Sequence, residues 1–217
     1  MSRKIVRLTL DHLDALSSPC RSCLFWELDP VRRERVQEPC AEKDAWVSEL
    51  LREWGSCGRV ALVDDVPVGY LVYAPEAFVP GGAGFPTAPV SPDAALLTMA
   101  YVDPTWRGGG LGRMLVQGMA RDLIGRGGFG AVEAFGDLSG RGGRCLVPAD
   151  FLGSVGFKTH RPHPTTPRMR MDLRTAVSWK DEVEAAIERL IGVMRPRPKS
   201  ARGPAPKATR ASRTSAR

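Results

Sequence analysis

Four glycines crowd the five positions from Gly108 to Gly112, with Arg107 before them and Arg113 directly after. A near-continuous apolar run, 95–102, precedes the cluster and a helical pattern, 111–124, follows it, so the order is buried strand, glycine-rich turn, helix. Glycines at such a turn let the backbone approach a ligand closely, and the N–H groups and dipole of a helix start favour a phosphate there. The chemistry offered is capture of a pyrophosphate. The same cluster also serves as a tight turn with no ligand. Two nucleotide folds are excluded: no Gly-Lys-Ser/Thr follows, and neither Gly108-x-Gly110 nor Gly110-x-Gly112 has a third glycine at the dinucleotide-binding position.

The elements that must hold this turn are legible on both sides of it. Residues 5–8 form a short strand candidate, and Thr9 offers an N-cap to a helix over 11–16. Ala45, Trp46, Leu50, Leu51 and Trp54 recur at helical spacing within 41–54, and Gly55 and Gly58 end that helix. The runs 59–63 and 66–73 flank Asp64-Asp65 and predict a β-hairpin. Five prolines and three glycines between 75 and 92 predict a long loop with no regular element. Beyond the glycine cluster, 129–135 completes a β-α-β unit with two buried parallel strands. A short helix over 148–155 stops at Gly156, and 157–159 and 168–173 close the sheet. Ser178, with Asp181 three residues on, caps an amphipathic helix that runs through Met194.

Arg107, Gly110 and Gly112, placed behind Val102-Asp103-Pro104, resemble the acetyl-CoA signature of the GNAT superfamily of N-acetyltransferases, Arg/Gln-x-x-Gly-x-Gly/Ala after a strand ending in Val-x-Pro. The resemblance is closest over 96–116, has an echo at Gly156-Phe157, and accommodates the element order over 3–174. It implies an α/β (α+β) fold: a GNAT-like mixed, mostly antiparallel twisted sheet with a central β-α-β acetyl-CoA unit, flanked by helices. The division it suggests is an acetyltransferase domain over 1–175, a C-terminal amphipathic helix over 176–194 and a disordered basic tail over 195–217. It also implies that backbone groups of Ala100, Tyr101 and Val102 pair with the pantetheine arm as an added strand. Amides of Gly108, Gly109, Gly110, Leu111, Gly112 and Arg113 would cradle the pyrophosphate, with Arg107 and Arg113 as nearby cations. The reaction implied is direct attack of a primary amine on acetyl-CoA, the co-substrate, in a ternary complex.

That reaction needs a base for the ammonium proton and, in many family members, an acid for the departing thiolate. Glu133 is the base candidate, because the family places a carboxylate on this strand, and Asp137 just after it is the reserve. The competing role for Glu133 is a solvated or salt-bridged strand glutamate. Many members carry a Tyr four residues before the late glycine to serve as the acid, whereas this chain has Leu152 there. Cys145 and Tyr101 are the available substitutes. Cys20-x-x-Cys23 with Cys40 and Cys57 offers four thiolates to zinc, but the last two are lone cysteines, so inert thiols are the preferred reading and no metal is assigned. His160, Arg161 and His163 sit beside prolines, as a substrate rim or a solvated loop. Phe25-Trp26-Glu27 either lines the acceptor pocket or packs into the core.

Charge adds a location. The whole chain carries +7, yet eight cations and no acids fall within 195–217, which leaves the rest close to neutral at −1. A tail of that composition attracts polyanions with little sequence readout, so a weak nucleic-acid contact competes with a simple solubilising extension. No apolar run is long enough to span a bilayer, and early charges break up any exported leader. Five cysteines, an odd count, fit reduced thiols and a cytoplasmic setting. Two further function classes compete with the enzyme: a non-catalytic acyl-CoA sensor of the same fold, and a basic-tailed nucleic-acid-associated protein. The resemblance is compatible with a homodimer.

Overall fold

Alternation along the strands decides the architecture. In the computed structural model, which describes residues 1–15, 20–140 and 145–174, eight strands form one twisted sheet between two hydrophobic layers. The strands are β1 (Arg3–Arg7), β2 (Gly58–Val63), β3 (Val66–Ala74), β4 (Ala94–Val102), β5 (Ala131–Asp137), β6 (Val147–Pro148), β7 (Lys158–Arg161) and β8 (Arg168–Asp172). Their order is β1-β2-β3-β4-β5-β8-β7, with β6 beside β5. Only the β4–β5 and β5–β6 pairings are parallel; the others are antiparallel. The expected helix 176–194 and basic tail 195–217 lie outside the described residues.

The helices are α1 (Leu10–Ala15), α2 (Pro30–Arg33), α3 (Pro39–Glu53), α4 (Leu111–Arg126) and α5 (Ala149–Ser154). In α3, Pro39 occupies the first turn, where its missing N–H costs nothing, and Trp46, Val47 and Leu50 bury one face. Gly55, at φ +95°, closes the helix by donating its N–H to the Leu50 carbonyl. α4 turns Leu111, Leu115, Val116, Met119, Ala120 and Leu123 onto one side of the sheet, together with Val132 and Ala134 from β5. The other layer takes Trp26, Trp46, Leu50, Tyr70, Leu96, Ala131 and Phe135. Both β4 and β5 are therefore covered on two faces, which is what their near-continuous apolar runs require.

The hairpin turn falls at Asp64-Asp65, with both residues at positive φ, the twist that suits a two-residue connection. The proline-rich loop departs from expectation. It contains two short turns of 3₁₀ helix, Glu76–Phe78 and Pro80–Gly84, and it is packed down. The Gly81 N–H donates to the Trp26 carbonyl, and a Cβ at Gly81 would stand 2.0 Å from the Phe25 carbonyl oxygen. Phe85 from the same loop stacks on Phe135 at 4.2 Å and on Trp26 at 5.5 Å. Trp26 is thus a core residue, 1% exposed. Glu27 beside it is equally buried and forms an ion pair with Lys43 of α3.

Candidate functional site

Where β4 and β5 part company is the centre of the site. They pair only through Ala94–Ala131, Ala95–Val132 and Leu96–Glu133, and the ladder then ends although β4 continues to Val102 and β5 to Asp137. A β-bulge accounts for the divergence. Val72 of β3 faces Met99 and Tyr73 faces Leu97, so Thr98 is an extra residue, buried, with its hydroxyl donating to the Val72 carbonyl. One extra residue bends a strand and ends regular pairing, and here it turns β4 towards the glycine cluster.

Ala100 and Val102 of this segment pack with the α4 layer, while Tyr101 packs with the other. After Val102 the chain makes a 3₁₀ turn at Pro104–Trp106, capped by the Asp103 carboxylate, which accepts from the Thr105 N–H at 2.9 Å. Arg107 then folds back and donates its Nε–H to the Val102 carbonyl at 2.9 Å. Gly108 and Gly110 have φ of +79° and +81°, values that L side chains resist, and a Cβ on either would meet nothing within 4 Å. These glycines are therefore not forced by neighbouring protein atoms. They are needed for backbone direction, and the space in front of them is open.

Gly110 is the N-cap of the sixteen-residue α4. The amides of Leu111, Gly112 and Arg113 open that helix and have no carbonyl one turn back to bond within it. Arg3 on β1 fixes the turn from 106 positions away, with its guanidinium donating to the Gly109 carbonyl at 2.6 Å. The residues thus fit an anionic pyrophosphate: helix-start amides, positive-φ glycines, open space and the cation Arg107 beside them.

Two expected members have structural work to do as well. A Cβ at Gly112 would come within 2.8 Å of the Phe151 ring, so this glycine lets α4 and α5 approach. Replacing Gly112 with Ala is expected to cost about 1–2 kcal/mol through overpacking, and that cost should shrink in a Phe151→Leu background, as thermal melts of the four chains in a double-mutant cycle would read. Arg113 donates to the Ser154 carbonyl at 2.9 Å and ties α4 to the end of α5.

Glu133 stands at the last rung of the β4–β5 ladder, fully buried. Its carboxylate accepts from the Ser91 N–H at 3.1 Å and from Arg170 at 3.2 Å, and lies 3.3 Å from the Arg168 guanidinium. Arg170 also holds Asp93 at 2.8 Å. These contacts match the salt-bridged alternative for Glu133. Asp137 shares its face of β5 by alternation but stands at the open end, half-buried, accepting from the Ser139 N–H at 2.7 Å. Leu152 is completely buried and offers no proton.

The cysteines group differently from the four-thiolate set. Cys20 and Cys23 meet Cys145, while Cys57 is buried in the core and Cys40 is exposed at the start of α3. Among the described residues no group of three His, Cys, Asp or Glu side chains is arranged to hold a metal ion. His160 and Arg161 are exposed on β7, and His163 takes the Thr166 N–H at 3.1 Å, closing a turn. Phe25 carries Arg33 over its ring at 5.4 Å.

A separate surface hollow of about 670 Å³ lies along the C-terminal half of α4, lined by Arg7, Arg59, Arg121, Asp122 and Arg126 among others. It is far along the helix from the glycine turn. Asp122 pairs with both Arg59 and Arg126 there and accepts from the Tyr73 hydroxyl. Burial, followed by that bond to Asp122, pushes the Tyr73 phenol well above its usual range.

Signals for several of these features were absent from the local sequence. Nothing near Gly109 points to Arg3, and nothing near Glu133 points to Arg168 and Arg170. Thr98 did mark an interruption in an apolar run, the one local trace of the bulge.

The fold has solved relatives. An N-acetyltransferase from Staphylococcus aureus Mu50 is 16% identical, with a TM-score of 0.55, covering 80% of this chain and 99% of that one. The PaiA N-acetyltransferase from Thermoplasma acidophilum, solved in complex with coenzyme A, is 15% identical with a TM-score of 0.51, over 79% of this chain and 99% of that one. Ard1 from Thermoplasma volcanium gives 14% identity and 0.51 over 79% and 98%. No curated protein sequence matches the chain. The family described as acetyltransferase (GNAT) matches residues 21–140, more than half of the chain, so with a forked β4–β5 pair leading into a glycine-lined helix start, this protein belongs to the GNAT acetyltransferase family.

Proposed function

We propose that this protein is an N-acetyltransferase that moves an acetyl group from acetyl-CoA to a primary amine by direct attack within a ternary complex. The observation that carries this reading is the end of the β4–β5 ladder at Leu96 and Glu133, from which β4 leads, through the short turn at Pro104–Trp106, to the Gly108–Arg113 turn. A strand edge followed by a helix start matches, in order, a ligand with an amide-bearing arm and a pyrophosphate. Coenzyme A has both, and the PaiA relative was solved with it.

Ala100, Tyr101 and Val102 are assigned to pair with the amide groups of the arm, and a backbone N–H of this segment to steady the thioester oxygen as charge develops on it. Amides of Gly108 through Arg113, with Arg107, are assigned to the pyrophosphate. When bound, acetyl-CoA supplies an acyl group already activated as a thioester. Asp137 is assigned the base role, because an exchangeable proton needs a carboxylate that solvent and amine can reach. Glu133 has both oxygens engaged by cations and an amide, and is assigned to positioning the fork. With Leu152 buried, the departing sulfur takes its proton from water.

An acceptor screen reading thiol release, over small amines and peptides with free N-termini, tests the reading. Amine-dependent release from acetyl-CoA is expected for at least one class. Tight CoA binding with no release over the whole panel would make the protein an acyl-CoA binder instead.

A further inference from the structure

Three thiols that acetyl transfer does not use converge on one place. Cys23 Sγ lies 2.7 Å from Cys145 Sγ, and Cys20 Sγ lies 3.9 Å from Cys145 Sγ. Cys20 and Cys23 precede α2, whereas Cys145 stands 122 residues after Cys23, just before β6. The Trp26 indole N–H donates to the Cys145 carbonyl at 2.9 Å, so the two segments are already joined through backbone and side chain. All three cysteines are half-buried and within reach of a small oxidant.

We propose that Cys23 and Cys145 form a reversible disulfide on exposure to a peroxide, with Cys20 as the adjacent thiol able to reopen it by exchange. Geometry selects this pair over a metal site. Two thiolates on one zinc, with Zn–S near 2.3 Å, stand about 3.8 Å apart, well beyond the Cys23–Cys145 contact. The Cys23 thiolate attacks one peroxide oxygen, forming an S–O bond, breaking the O–O bond and releasing hydroxide, which takes up the Cys145 proton. The Cys145 sulfur then attacks the Cys23 sulfur; the S–S bond forms, the S–O bond breaks, and the hydroxide leaving is protonated to water. Two thiols are oxidised by two electrons in all, and one hydrogen peroxide becomes two waters.

Cys23 is the attacking partner. A hydrogen bond from the Cys145 thiol, outweighing burial, holds its pKa down to about 6; the Lys43 charge helps and Glu27 opposes. Hydrogen bonds with Cys20 and then Cys23 push the Cys145 thiol up, so it keeps the shared proton. Burial pushes Cys57 up to about 12 and removes it from this chemistry.

The test uses the full chain, reduced, desalted and treated with equimolar hydrogen peroxide. Peptide mapping should find Cys23 linked to Cys145, reversed by dithiothreitol, in the parent chain and equally in Cys57→Ser. In Cys145→Ser that disulfide should be missing, and in a chain that carries Cys20→Ser as well Cys23 should be trapped as a sulfenic acid by a cyclic diketone. Alkylation of Cys23 in the untreated chain should be half-maximal near pH 6, as its depressed pKa requires. Oxidation confined to Cys40 would overturn the proposal, and so would stoichiometric zinc protecting all three thiols in the isolated protein. The parent chain's linkage map decides the matter even if the Cys145→Ser chain does not fold, and it is read independently of acetyl transfer.

Discussion

A chain carrying Gly110→Val is expected to bind acetyl-CoA at least about a hundredfold more weakly than the parent, while melting only a few degrees lower. Gly110 has φ +81° at the N-cap of α4, and a β-branched residue resists that conformation by roughly 1–2 kcal/mol. Relief of the strain turns the amides of Leu111, Gly112 and Arg113 away from a common point. Because a Cβ at Gly110 touches no protein atom within 4 Å, the new side chain occupies the space assigned to the pyrophosphate rather than the core. Binding and stability are thereby separated. A loss of two pKd units or more with a folded chain supports the cradle; unchanged affinity would show that the phosphate lies elsewhere.

The second large effect divides two carboxylates on one strand. Glu133→Gln is expected to destabilise the fold by about 3–5 kcal/mol, because it leaves the Arg168 guanidinium, 2% exposed, without a compensating charge. Arg168 is ill placed to recover, since its Nε and one terminal nitrogen already lack a hydrogen-bond partner among the described residues. Asp137→Asn, at the half-buried end of β5, is expected to leave the melt nearly unchanged and to lower kcat by about 10²–10³ with little change in KM for acetyl-CoA. Urea titration gives the first number, and steady-state kinetics with an identified acceptor gives the second. A stable Glu133→Gln chain that has lost its rate, beside a fully active Asp137→Asn, would return the base role to Glu133.

Local pattern carried most of the architecture. The hairpin about Asp64-Asp65, the helix closed by Gly55 and the strand-turn-helix around Gly108–Gly112 each depend on residues within one or two turns of chain, where propensity and periodicity speak directly. The positive-φ glycine turn at the start of α4, to which the pyrophosphate is assigned, was legible for the same reason. What escaped depends on partners far away in sequence. Glu133 has the alternation of a face-pointing strand residue in any reading, but its engagement by Arg168 and Arg170 follows from β8 pairing with β5, which no spacing along the chain reveals. Cys20 and Cys23 suggested a set with Cys40 and Cys57, yet the partner is Cys145, which stands just before β6 and more than a hundred residues away in sequence. The proline-rich segment looked irregular because it lacks periodicity; its order comes from Gly81 and Phe85 docking on Phe25, Trp26 and Phe135.

Gly112 shows how one residue type answers two demands. Its place in the motif suggested close approach to a ligand, and the contact that forbids a side chain there is the Phe151 ring. Within the motif Gly112 thus serves helix packing, while Gly108 and Gly110 owe their identity to backbone direction beside open space.

The most direct measurement is an isothermal titration of the parent chain with acetyl-CoA and with CoA. The expected result is one site per chain with a dissociation constant in the micromolar range, about −8 kcal/mol, for both ligands. No heat and no saturation at about millimolar ligand, roughly −4 kcal/mol, would contradict the account at its base.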